Sequence, residues 1–144
     1  MTDFQLSDED TKALAASLFN RTWQLIDSDE RTEADELEMI HSAHASRLHW
    51  QKVGGPEQWA IGEWQCARVY CEVGFPESAI FHAQACLEIV ESNEMPVWMH
   101  ASVYEVLDPN CKNETIRTIK RLVQAAPGSP RHSATRPTSS ATPR

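Results

Sequence analysis

The chain has 144 residues, with 13 Lys and Arg against 21 Asp and Glu, a length that suits one compact domain with a real core and falls short of the usual two-domain enzyme. The net charge of −8 conceals a division: residues 1–111 hold 6 basic and 20 acidic side chains, a net of −14, whereas residues 112–144 hold 7 basic and 1 acidic, a net of +6. An anionic body repels phosphate backbones and anionic lipid, which leaves only the C-terminal segment for nucleic-acid or membrane-surface binding.

Met1 to Leu6 has neither the basic start nor the apolar run of a secretory signal, and no window approaches ~18 uninterrupted apolar residues, so a cytoplasmic protein is expected. Ser7, followed by Asp8, Glu9 and Asp10, reads as the cap of a first helix. Its Leu14, Ala15, Leu18, Phe19, Trp23, Leu25 and Ile26 recur at three- and four-residue steps. After the polar turn Asp27 to Arg31, Thr32 with Glu33 and Asp35 caps a second helix through Leu37, Ile40, Ala43, His44 and Leu48 to near Lys52. Pro56 opens a third helix that Gly74 closes, and Pro76 opens a fourth with Ala79, Ala83, Cys86, Leu87 and Val90 on one face. Pro96 opens a fifth helix, whose apolar face is expected to be Val97, Trp98, Ala101, Tyr104 and Val106, and Asp108-Pro109-Asn110 breaks it. A sixth, from Asn113 to Ala126, sets Ile116, Ile119, Leu122 and Val123 inward and Arg117, Lys120 and Arg121 outward.

No stretch alternates apolar and polar residues with β-branched enrichment, so the protein is expected to be all-α. Residues 1–126 form the domain. Residues 127–144 contain four prolines, four serines, three threonines and no Leu, Ile, Val, Phe or other aromatic residue. Such a composition cannot offset the entropy of ordering, and a disordered tail is expected. Cys66, Cys71, Cys86 and Cys111 form no CxxC pair, and three of them fall in mid-helix apolar surroundings; buried thiols in a reducing compartment are expected.

Short connections make three antiparallel helix pairs. In the middle pair, Ala67, Tyr70, Gly74, Ala79, Ala83 and Leu87 resemble a tetratricopeptide repeat, a family with a small residue and then a Tyr on the first helix, Gly at the turn, and Ala where the second helix packs back. The resemblance covers about residues 59–90 and marks a divergent member. It implies three pairs stacked as a short α-solenoid, with a groove made mainly by the first, third and fifth helices that binds a peptide or protein segment.

Candidate sites follow from polar and aromatic clustering. Trp59 and Trp64 are five apart, about 500° around a helix, so they point roughly 140° from each other and one is expected to face outward. With Arg47, Trp50, Glu63 and Arg68 they form a candidate partner-binding patch, since Trp and Arg dominate interaction hot spots. Trp64→Ala or Arg68→Ala is then expected to weaken capture with little loss of helicity. The alternative is a metal-dependent helical enzyme. Glu38-x-x-His41 with His44 one turn on supplies potential ligands, joined by His82 or His100 from later helices.

A di-iron bundle would need a second Glu-x-x-His, and a zinc protease needs His-Glu-x-x-His; neither exists here. There is no Gly-x-Ser-x-Gly elbow, and Gly54-Gly55-Pro56 lacks the Lys-Ser/Thr of a phosphate loop. The expected function is therefore a non-enzymatic scaffold or adaptor without a cofactor. Its protein or peptide partner is expected to be basic, and self-association through the terminal pair is a further expectation.

Overall fold

The computed structural model describes residues 3–107. The expected sixth helix and the expected disordered tail both lie outside the described residues. Those described form an all-α structure of five helices: α1 (Asp8–Ile26), α2 (Glu33–Val53), α3 (Pro56–Val73), α4 (Pro76–Ser92) and α5 (Val97–Leu107).

The helix boundaries have local causes. Ser7 Oγ accepts the Asp10 N–H at 3.1 Å, and its own hydroxyl donates to the Asp10 carboxylate rather than leaving that group to the Ser7 backbone. Thr32 and Asp35 make the full reciprocal arrangement: the Asp35 N–H donates to Thr32 Oγ1 at 3.2 Å and the Thr32 N–H donates to Asp35 Oδ2 at 2.9 Å. At the start of α3, the Gly55 N–H donates to Gln58 Oε1. Gly74 ends that helix at φ 81°, a left-handed conformation that costs glycine little and an L side chain more. The last carbonyls of α1 are met by Arg31, whose Nη1 donates to Ile26 O at 2.9 Å while Nη2 pairs with Glu72 of α3 at 3.2 Å.

The helices pair in sequence, α1 chiefly with α2 and α3 with α4, while α2 also packs on α3 and α5 on α4. Contacts across each pair run in opposite senses: Ser46 meets Ala15 where Glu38 meets Arg21, and Cys86 meets Ala60 where His82 meets Glu63. The pairs are thus antiparallel. Two larger apolar clusters fill much of the interior of the described residues, one of Leu25, Ile26, Met39, Ala43, Cys66 and Val69, the other of Ala60, Cys86, Val90, Met99 and Val103, and Cys71 with Ala79 forms a smaller third. Trp23 on the first and Trp64 on the second meet with ring centroids 5.4 Å apart, which joins the two.

Buried donors set the helix registers. Ser46 Oγ donates to Ala15 O at 2.8 Å, Gln65 Nε2 to Phe19 O at 3.0 Å, and Cys86 Sγ to Ala60 O at 3.1 Å. Each spends a side-chain donor on a carbonyl of another helix, so a slip of one residue would strand a buried polar group.

Some faces are turned from those the periodicity suggests. Leu14, Leu37 and Leu48 are exposed, whereas Thr11, Thr22, Met39, Ser42 and Ser46 are buried. Small residues let α1 and α2 approach closely, and the Thr22 hydroxyl is satisfied by Leu18 O within its own helix. On α5 the inward residues are Met99 and Val103, while Val97 and Trp98 stand outward. This helix has apolar residues all round, so its period carried no direction. No described helix is long and apolar enough to cross a membrane.

Candidate functional site

Three helices bring one polar cluster together. α2 presents His44 and Arg47, three residues apart; α3 presents Glu63, Cys66 and Tyr70, spaced by three and four; α4 presents His82. These spacings place each set on one helix face.

At the centre is Glu63. Its Oε1 accepts from Arg47 Nε at 2.9 Å and its Oε2 from His82 Nδ1 at 2.7 Å. The three side chains are only 16%, 14% and 14% exposed for Arg47, Glu63 and His82. A carboxylate only accepts, so His82 carries its proton on Nδ1. Burial alone would push the Glu63 carboxyl up; the hydrogen bond from His82 and the Arg47 charge outweigh it and hold the group below the ordinary carboxylate range. Arg47 reaches this position because residue 62 is glycine: a Cβ there would lie 2.5 Å from Arg47 Cδ. The aliphatic stem of Arg47 runs over the bare backbone of α3, and its Nη1 also donates to Gln51 Oε1 at 2.8 Å.

Above the carboxylate lies a set of rings. Tyr70 stacks on His82 with centroids 5.5 Å apart and planes 10° apart. The His44 ring centroid is 5.0 Å from that of His82, and His44 Nε2 is 2.8 Å from the Tyr70 hydroxyl. His44 Nδ1 lies 3.9 Å from Cys66 Sγ. Phe75 packs edge-on to Tyr70 and Phe81 edge-on to His82. These two phenylalanines are 55% and 68% exposed. The result is a solvent-facing aromatic patch whose inner rings are held by a buried, ion-paired base.

Burial pushes the His44 imidazole below its ordinary range, with His82 adding to the effect; Glu63 opposes it and His41 reinforces it. Burial also pushes the Tyr70 hydroxyl up, with Cys66 adding to it. The unfolded chain takes up a proton on His44 below about pH 6.5, where folded His44 resists it, so the unfolded state binds more protons and stability falls with pH. Glu63 acts in the same sense at lower pH, through the ordinary carboxylate range and below. The melting temperature is therefore expected to decline from about pH 6.5 downward, steepening below about pH 4.5. His44→Gln is expected to flatten the upper limb, and a wild-type melting temperature constant across that interval would contradict this account of the cluster.

The Glu63–His82 pair has the carboxylate-to-imidazole arrangement that orients a general base. The neighbours of the His82 ring named above are aromatic. The thiols of Cys66 and Cys86 are pushed up to about 12, in each case chiefly by burial, and carry no nucleophilic thiolate at neutral pH. Cys66, Cys71 and Cys86 are all buried, as their mid-helix apolar setting suggested. His44 and His82 are adjacent, but His41 is exposed and His100 half-buried on α5. Among the described residues, no group of three or more His, Cys, Asp or Glu side chains is placed to hold a metal ion.

The six residues of the sequence-derived patch separate. Arg47 and Glu63 join the cluster. Trp59 turns its indole N–H to Trp50 O at 3.0 Å, and both rings are half-buried. Trp64 lies against Trp23, with its own N–H buried and unbonded. Arg68 lies 3.7 Å from Glu72, one turn on. Phe75 and Phe81 were missed. The sequence held a signal for Phe81: Ala79 and Ala83 both face inward, and a residue midway between them points away. A shallow depression of about 640 Å³ on the outer face of α1 includes Ala13, Ser17, Asn20 and Arg21, and its charged members, Arg21 and Glu38, already pair with each other. No family model, curated protein or solved structure matches this chain.

Proposed function

We propose that this protein is a non-enzymatic interaction module, a tetratricopeptide-like helical scaffold that holds a peptide or protein segment. The observation that carries the reading is the exposed pair Phe75 and Phe81 flanking the stacked Tyr70 and His82 rings. Large aromatics left in solvent on a rigid support are the usual anchors of an interface, since the scaffold pays little ordering entropy when the partner arrives. The partner is basic. Residues 69–111 contain seven acidic residues and no Lys or Arg, so long-range attraction steers cationic segments to this side and weakens with salt. A cytoplasmic location accords with the buried thiols of Cys66 and Cys86.

The test is capture from native cell extract with wild-type protein and with the Phe75→Ala, Phe81→Ala double variant. Both side chains are exposed, so the variant is expected to melt close to wild type while binding the captured partner roughly thirty-fold more weakly. Equal affinity of the two proteins for that partner would overturn the reading.

A further inference from the structure

α4 buries Ala79, Ala83, Cys86 and Val90 on its inward side. At about 100° per residue, Glu77, Phe81, Gln84 and Glu88 fall within about 60° of one another on the opposite side. Glu77, Phe81 and Glu88 are exposed, and Gln84 is half-buried between them. The outward stripe thus runs carboxylate, ring, amide, carboxylate, with Glu77 one turn before the ring and Glu88 two turns beyond it.

These two carboxylates differ from those of the preceding helices. Glu38, Glu63 and Glu72 are each met by an arginine of the chain. Among the described residues, Glu77 and Glu88 meet no cation, and residues 69–111 contain no Lys or Arg to supply one.

The side chain that satisfies ring and carboxylate together is arginine. Its guanidinium is planar and weakly hydrated, so it lies flat on a phenylalanine face while its N–H groups reach a neighbouring carboxylate. Glu77 and Phe81 are about 6 Å apart along the helix axis, close enough for one guanidinium to meet both. The lysine ammonium is compact and strongly hydrated and gains less from the ring. Glu77 and Glu88 are about 16 Å apart along the axis, a distance that an extended segment covers in about five residues. Gln84 lies between them, and its amide can hydrogen-bond to the open main chain of an extended segment, whereas a helical segment has spent those groups internally. A second copy bringing the same stripe would set these carboxylates against themselves.

We propose that the outward face of α4 is an arginine-binding site for an extended segment of a partner protein. One guanidinium stacks on Phe81 and pairs with Glu77, and a second, five residues along the segment, pairs with Glu88. This site rests on the reading of Phe75 and Phe81 as anchors and names what they hold.

The test is an NMR titration of the isotope-labelled full chain with a Gly-Ser peptide bearing two arginines five residues apart. The same peptide with lysines, or with citrulline, which keeps the shape without the charge, is compared with it. The arginine peptide is expected to shift resonances of Glu77 to Glu88, the lysine peptide to bind about fivefold more weakly and the citrulline peptide at least about tenfold more weakly. Glu77→Gln with Glu88→Gln, both at exposed positions, is expected to weaken the arginine peptide about tenfold and to flatten its salt dependence. Phe81→Leu is expected to erase the preference for arginine over lysine. Equal binding of the arginine and lysine peptides, wild-type affinity of the double glutamine variant, shifts confined to other helices, or no binding would each overturn the proposal. Any of these would leave the Phe75 and Phe81 reading standing where partner capture still depends on the two rings, whereas equal capture by their double alanine variant would remove both.

Discussion

Glu63→Ala is expected to destabilise the protein by about 3 kcal/mol, the lower end of what breaking a buried ion pair costs, because the groups keep a little solvent contact. One carboxylate serves two partners, Arg47 at 2.9 Å and His82 at 2.7 Å. Its removal leaves a guanidinium confined against Gly62 with Gln51 as its hydrogen-bond partner among the described residues, and frees the imidazole that Tyr70 stacks on. Glu63→Gln keeps the shape and one acceptor but no charge, and is expected to lose about half as much. Urea unfolding of the three proteins measures this, and a Glu63→Ala midpoint equal to wild type would remove the cluster as a source of stability. Because the same carboxylate holds His82 beneath Phe81, Glu63→Ala is also expected to weaken partner capture, although Glu63 lies below the exposed rings.

Trp64→Ala is expected to cost about 3–4 kcal/mol, as deletion of a large ring from a packed interior. Its ring joins the two apolar clusters through Trp23, so the cavity would open between the first helix pair and the second. Trp64→Phe is expected to cost less than about 1.5 kcal/mol. It retains an aromatic ring and removes a buried indole N–H that has no hydrogen-bond partner, a group whose burial is itself unfavourable. Thermal unfolding followed by circular dichroism compares the two. Near-equal melting of Trp64→Ala and wild type would show that the ring bears no packing load. The expectation from sequence, that Trp64→Ala spares helicity while weakening capture, rested on an outward ring, and the contact with Trp23 places that ring inward.

Much of the fold was legible residue by residue. Ser7, Thr32 with Asp35, Pro56, Gly74 and Pro76 each act within one turn of the chain, and all five helix-defining signals stand where they were read. The inward face of α4 was also legible, because Ala79, Ala83, Cys86 and Val90 recur at four- and three-residue steps along one side of the helix. The inward faces of α2 and α5 were not. On α2 the buried Met39, Ser42, Ala43 and Ser46 compete with Leu37 and Leu48, and hydrophobicity alone favours the leucines. Close approach of α1 favours the small residues instead, and the Ser46 hydroxyl finds its acceptor only on another helix.

The candidate site shows the same division. Arg47, Glu63 and His82 were each visible as polar groups on helices, and Arg47 and Glu63 were already drawn together into a binding patch. Their assembly around one carboxylate depends on contacts 16 and 19 residues apart in the chain, and on the bare backbone at Gly62 that admits the Arg47 stem. Capping, proline and glycine signals are local because they satisfy or restrict backbone groups within a turn. Burial and pairing are decided by which helix comes to lie alongside, through packing distances and buried hydrogen bonds that no stretch of the chain contains by itself.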